Sequence, residues 1–110
     1  MRLPALTMLA TAAPALAQAQ TQVESVYTGE VAVSVVEVAS GLDTPWGLAF
    51  LPDGRMLVTE LPGDLVIVSP DGTVSDPIEG TPTVFAQGQG GLMDVALAPD
   101  FAETGLVYLS

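Results

Sequence analysis

The sequence contains no cysteine and no histidine, and only two basic residues, Arg2 and Arg55, against thirteen acidic ones. Without cysteine there is neither a disulfide framework nor a thiolate metal site. Without histidine, the commonest metal ligand and the usual general base at neutral pH are both missing. The shortage of positive charge excludes nucleic-acid recognition, because neutralising phosphates takes clustered Lys and Arg. The acids stand singly rather than in blocks, so they describe a self-repelling soluble surface and identify no partner. An amphipathic helix of useful length is also missing beyond the N-terminal region, which points to an all-β chain.

What is present begins with an apolar stretch behind Arg2: Leu3, Ala5, Leu6, Met8, Leu9, Ala10, Ala12 and Ala13, reaching Ala15-Leu16-Ala17. A basic start, a short apolar core and small residues at alternate positions predict a secretory signal peptide over residues 1–19, cut after Ala17 or Ala19. The alternative is a membrane span, but the run is shorter than the roughly 20 apolar residues a spanning helix needs. Export to the periplasm or beyond is expected, with no membrane span. Residues 20–30 are polar and read as a loose, flexible mature N-terminus.

From Val31 the chain reads as strands. Val31, Val33, Val35, Val36 and Val38 form a β-branched run that Gly41 ends. Trp46–Leu51, Arg55–Glu60 and Leu65–Val68 are apolar segments of strand length, separated by Pro52-Asp53-Gly54 and Leu61-Pro62-Gly63-Asp64. Asp-Gly favours hairpins because glycine takes a positive φ without a Cβ clash. After Ser69-Pro70-Asp71-Gly72, the segment from Thr73 to Ile78 offers a weaker fourth strand, and Pro77 makes it an edge.

The pattern then restarts. Leu92–Ala98 is apolar, Pro99-Asp100 repeats the turn signal, and Gly105–Ser110 resumes as a strand. Pro52-Asp53 and Pro99-Asp100 are separated by one period of about 40–50 residues, the length of a propeller blade. An open meander or a sandwich would also show short, turn-bounded strands. The four-strand unit with a matching restart favours a β-propeller for residues 31–110, with about its first two blades present. Two blades cannot close a ring, and the last apolar strand would leave an unpaired edge. The chain is therefore expected to be a fragment of a longer protein.

The connection Gln87-Gly88-Gln89-Gly90-Gly91 carries more polar chemistry than a strand link needs. A dinucleotide fingerprint would require glycine at the place of Met93 and a helix after it, and a P-loop would require a lysine, so both fail. Two readings remain open on the residues alone. The glycines simply permit tight turns, or they bring backbone close to a ligand while the Gln89 amide hydrogen-bonds its hydroxyls.

Trp46-Gly47-Leu48-Ala49-Phe50-Leu51-Pro52-Asp53-Gly54, Leu57-Val58-Thr59-Glu60, Gly88-Gln89-Gly90-Gly91-Leu92, Asp94 and Ala98-Pro99-Asp100-Phe101 together resemble the pyrroloquinoline quinone (PQQ)-dependent soluble aldose dehydrogenases, the glucose/sorbosone dehydrogenase family. The resemblance runs from about Val36 to Ser110. It implies a six-bladed propeller that holds PQQ over its channel with calcium assisting. It also implies oxidation of the anomeric carbon of an aldose to a lactone, with electrons passing to an external acceptor. In that family a histidine takes the hydroxyl proton and arginines steady the developing charge. Of the family's site positions, Gln89 matches the glutamine that contacts the sugar, and Gly88 and Gly90 would shape its loop. No catalytic or metal residue is assigned within the chain, and the fragment alone is expected to be inactive. Leu61 stands where many relatives carry a basic residue, and Gln87 where some carry histidine, which bears on substrate preference.

The remaining residues of note take structural readings. Trp46 is expected to pack within or between blades. Asp94 is expected to accept backbone N–H bonds between blades, since one carboxylate makes weak provision for calcium. Thr59-Glu60 reads as the end of a strand and its turn. A second class of function stays open beside the dehydrogenase, a non-enzymatic propeller that binds carbohydrate or a protein partner.

Overall fold

A computed structural model describes residues 21–110, so the expected signal peptide lies outside the described residues. The chain is built from antiparallel strands. β1 (Thr21–Tyr27) pairs with β2 (Ala32–Glu37), β3 (Pro45–Phe50), β4 (Met56–Glu60) and β5 (Leu65–Val68) form one sheet in that order, and β6 (Val95–Leu97) pairs with β7 (Val107–Leu109). A single helical turn, α1 (Phe101–Thr104), joins β6 to β7.

The segment expected to be a loose N-terminus instead forms β1. Its residues pair with the valine-rich β2 from Thr21↔Glu37 to Tyr27↔Ala32, with a bulge between Gln22 and Glu24. The valine run supplies a ready edge, and the opposing segment is rich enough in Thr, Val and Tyr to take it up.

Two hairpin turns of the central sheet repeat one design. Gly54 N donates to Leu51 O at 3.0 Å, and Gly72 N donates to Ser69 O at 2.9 Å. Both glycines have positive φ, +88° and +86°. In each turn the aspartate carboxylate accepts the N–H two residues on, Arg55 N at 3.0 Å from Asp53 and Thr73 N at 3.0 Å from Asp71. Proline preorganises such a turn, aspartate ties it and glycine releases it. The third Pro-Asp pair has Phe101 in place of glycine, and there the chain winds one helical turn before Gly105, at φ +67°, ends it.

The fourth strand expected over Thr73–Ile78 is reduced to one bridge, Val68↔Val74. Ser75 explains the interruption. Its N–H donates to Ile67 O at 2.9 Å, but Ile67 N donates to the Ser75 hydroxyl, also at 2.9 Å, so a side chain takes the place of a ladder carbonyl. Pro77 lacks an N–H, and Ile78 N makes the last contact, to Leu65 O at 2.8 Å.

The central sheet is apolar on both faces, and every residue of β4 is buried. On one face Leu51, Leu57 and Leu65 pack against Val95 of β6, with Phe101, Val107 and Leu109 around them. On the other, Met56, Val58, Val66 and Val68 are covered in part by Ala39, Leu42 and Val74. Along β3 that second face stays open. Trp46, Leu48 and Phe50 alternate onto it and are 57%, 51% and 69% exposed. An apolar groove of about 410 Å³ runs there between Val36, Val38, Trp46 and Met56. Trp46, expected as a packing aromatic, lines this groove rather than a closed core.

Candidate functional site

The polar loop between the two sheet units is a tight turn. Gly90 N donates to Gln87 O at 3.0 Å, and Gly88 at the second position has φ +64°. A positive φ confined to the second residue defines a type II′ turn, which favours glycine there. Nothing lies within 4 Å of a Cβ placed on Gly88, so its requirement is conformational and not spatial. Gln89 occupies the third position, and the side chains of Gln87 and Gln89 are exposed. The turn thus presents two amides, each with two donor hydrogens and an acceptor oxygen.

Gly90, expected to shape the loop with Gly88, has neither a positive φ nor a close obstruction, its nearest neighbours being carbonyl oxygens of Phe85 and Gln87 at 3.4 Å. The stringent position is Gly91. Its φ is +156°, and a Cβ there would overlap the carbonyl oxygen of Leu61 and come within 2.8 Å of that residue's Cγ and Cδ1. The backbone of the loop therefore presses directly on the residue that follows β4.

Behind that contact lies a set of attachments the sequence did not reveal. Leu92 N donates to Leu61 O at 3.0 Å, and Leu61 N donates to Thr44 O at 3.0 Å. Thr59 is completely buried; its hydroxyl donates to Met93 O and accepts Gly47 N–H at 2.8 Å. Glu60 is buried as well, and its carboxylate accepts Asp43 N–H at 2.6 Å. Thr44, between those anchors, is the only non-glycine described residue with positive φ, +51°. A β-branched residue in that region costs about 1–3 kcal/mol and persists only where its surroundings hold it. A threonine, a buried glutamate and a positive-φ residue before proline leave no mark in a sequence, because their partners lie in other segments.

Gly47 and Asp94 occupy matching places in the internal repeat and meet in space. A Cβ on Gly47 would lie 2.7 Å from Met93 O and 3.1 Å from an Asp94 carboxylate oxygen. Asp94 accepts a backbone N–H as expected, but it is that of its neighbour Val95, at 2.8 Å, at the entry to β6 and not one on another sheet. Among the described residues no three acidic side chains gather as a metal ion would require. The one cationic side chain among the described residues, Arg55, pairs with Asp53 at 2.8 Å on the exposed β3–β4 turn, and this hydrogen-bonded guanidinium holds the Asp53 carboxyl below its ordinary range. The backbone N–H of Thr73 does the same for Asp71. No described helix is long and apolar enough to cross a membrane.

The relationships of the chain agree with this arrangement. A family model described as "Glucose / Sorbosone dehydrogenase" matches residues 42–110, which include both sheet units and the loop between them. The aldose sugar dehydrogenase YliI of Escherichia coli is 44% identical over 87 residues, 78% of this chain. A solved glucose dehydrogenase superposes with a TM-score of 0.64 at 51% identity over 67% of this chain and 23% of its own. The PQQ-bound aldose sugar dehydrogenase of Streptomyces coelicolor does so with a TM-score of 0.62 at 39% identity, over 66% of this chain and 22% of its own. The chain spans 24% of the length of the E. coli relative. With the paired turns, the Gln87–Gly91 loop and its glycine contacts all inside the matched segment, the chain belongs to the glucose/sorbosone dehydrogenase family.

Proposed function

We propose that the protein is a secreted or periplasmic quinoprotein that oxidises the anomeric carbon of an aldose to the lactone and passes the electrons to an external acceptor. In this reading the β3–β5 sheet with its bridged outer segment, and the β6–β7 unit, are two blades of a six-bladed propeller. The meeting of Gly47 and Asp94, repeat-equivalent residues on neighbouring sheets, supports that reading. So does the apolarity of both faces of the central sheet, as a blade stacked between two others requires.

The role of this chain in the site is recognition of the sugar. The observation that carries it is the exposed Gln89 amide on a turn whose stem is fixed to the end of β4. A sugar hydroxyl both donates and accepts, and an amide matches it with one group of each kind. The described residues do not make a cradle for PQQ or calcium. The quinone's carboxylates call for cations, and Arg55 is committed to Asp53 on a turn. Calcium calls for clustered oxygen ligands, which no group of acids here supplies. Holding the cofactor and removing the hydroxyl proton are accordingly assigned to parts of the protein outside these 110 residues, where the family's calcium ligands, arginines and histidine are expected.

The test uses the full-length protein supplied with PQQ and calcium, scored by aldose-dependent reduction of a dye. Gln89→Ala should raise KM for the sugar about 3- to 10-fold, the loss of one neutral hydrogen bond, with stability little changed. No dye reduction across a panel of aldoses would refute the dehydrogenase. Sugar binding without dye reduction would instead identify a carbohydrate-binding propeller.

A further inference from the structure

We propose that Thr59 is a positioning residue for sugar recognition, acting through the stem of the Gln87–Gly91 turn. This rests on the reading of Gln89 as the sugar contact. The turn itself is exposed, so its placement depends on where its stem is tied. That stem is tied at two successive residues to the end of β4 and the residue that follows it, and its far side is held by Ser110, whose carbonyl accepts the Met93 N–H at 2.7 Å. Leu92 N donates to Leu61 O at 3.0 Å, and Met93 O accepts the Thr59 hydroxyl.

Thr59 does more than hold one carbonyl. Its single hydroxyl hydrogen goes to Met93 O, while its oxygen accepts the Gly47 N–H at 2.8 Å. One atom therefore joins the start of β3, the end of β4 and the stem of the loop. Both partners are backbone groups, and Thr59 is fully buried, so no water replaces the hydroxyl without opening the packing between the sheets. The absence of a Cβ on Gly47 is what allows Met93 and Asp94 to approach closely enough for this bridge, since a methyl group there would sit 2.7 Å from Met93 O. Threonine is suited to the place because its methyl fills buried space while the hydroxyl satisfies two polar groups. Valine has the same shape and satisfies neither.

The experiment is a double-mutant cycle in the full-length protein, reconstituted with PQQ and calcium and assayed for aldose-dependent dye reduction. Thr59→Val should raise KM about fivefold when Gln89 is present and less than about twofold in a Gln89→Ala background, because residues acting through one contact are not additive. Thr59→Ser, which keeps the hydroxyl, should restore KM to near the wild-type value. The same fivefold rise with and without Gln89 overturns the role, because it marks a general structural effect. An unchanged KM in Thr59→Val overturns it too. If Thr59→Val does not fold, Thr59→Cys, which offers a weaker donor of similar size, is read in the same cycle and by the same criteria. Failure of the functional reading looks different. Wild-type protein inactive on every aldose, or Gln89→Ala with an unchanged KM, removes the sugar contact itself and this role with it.

Discussion

Replacing Gly91 by alanine tests the claim that the loop presses on the end of β4. The added Cβ overlaps the Leu61 carbonyl oxygen and lies 2.8 Å from Leu61 Cγ and Cδ1. That oxygen is also the acceptor for Leu92 N–H at 3.0 Å, so moving it away strains the bond that ties the stem. Overpacking of this kind costs about 1–3 kcal/mol. The backbone adds to it, because a φ of +156° is one that residues with side chains avoid, at about 1–3 kcal/mol. The expected destabilisation is therefore about 2–6 kcal/mol. Gly88→Ala is the matched control. Its φ of +64° is also unfavourable for alanine, but nothing lies within 4 Å, so only the conformational cost of about 1–2 kcal/mol applies. Urea unfolding of the two variants in the full-length protein, followed by circular dichroism, should give the lower midpoint for Gly91→Ala at a similar slope. Equal midpoints would mean that the contact with Leu61 contributes nothing, and the description of the stem would be wrong.

Two further outcomes follow from the polar contacts. The Asp53 carboxyl, hydrogen-bonded by the Arg55 side chain and by its backbone N–H, should titrate by NMR below the ordinary value near 3.8. Its folded-state pKa is depressed, so the stabilisation it gives is present above the unfolded pKa and is lost as pH falls through the folded one. Arg55→Ala should raise the Asp53 midpoint only part of the way, because the backbone N–H remains, and should leave Asp71 where it was; an unmoved Asp53 would contradict the assignment. Glu60→Ala should cost about 1–3 kcal/mol in urea unfolding by leaving the Asp43 N–H without its acceptor. Glu60→Gln, which keeps an oxygen at that place, should cost clearly less, and equal losses would show that packing rather than the hydrogen bond matters.

The sequence by itself determined the features whose causes are local. Pro-Asp-Gly at residues 52–54 and 70–72 carries its own instructions for φ and for the Asx hydrogen bond, and both turns formed as read. The runs around Ala49, Leu57 and Ile67 became paired strands because short, continuously apolar segments suit a sheet that is apolar on both faces. The Gln87–Gly91 loop was legible for the same reason, its glycines and amides being contiguous. Only the tertiary structure decided what depends on residues distant in the chain. Ser75 takes an N–H of β5 with its hydroxyl and so ends the sheet one strand early. The segment before Tyr27 becomes a strand because β2 lies beside it. Gly91 and Gly47 are demanding positions because Leu61 and Met93 approach them, and Thr59 is a junction because Gly47 and Met93 converge on one hydroxyl. A side chain's own chemistry is written in the sequence, but the groups that satisfy it arrive only when the sheets have packed.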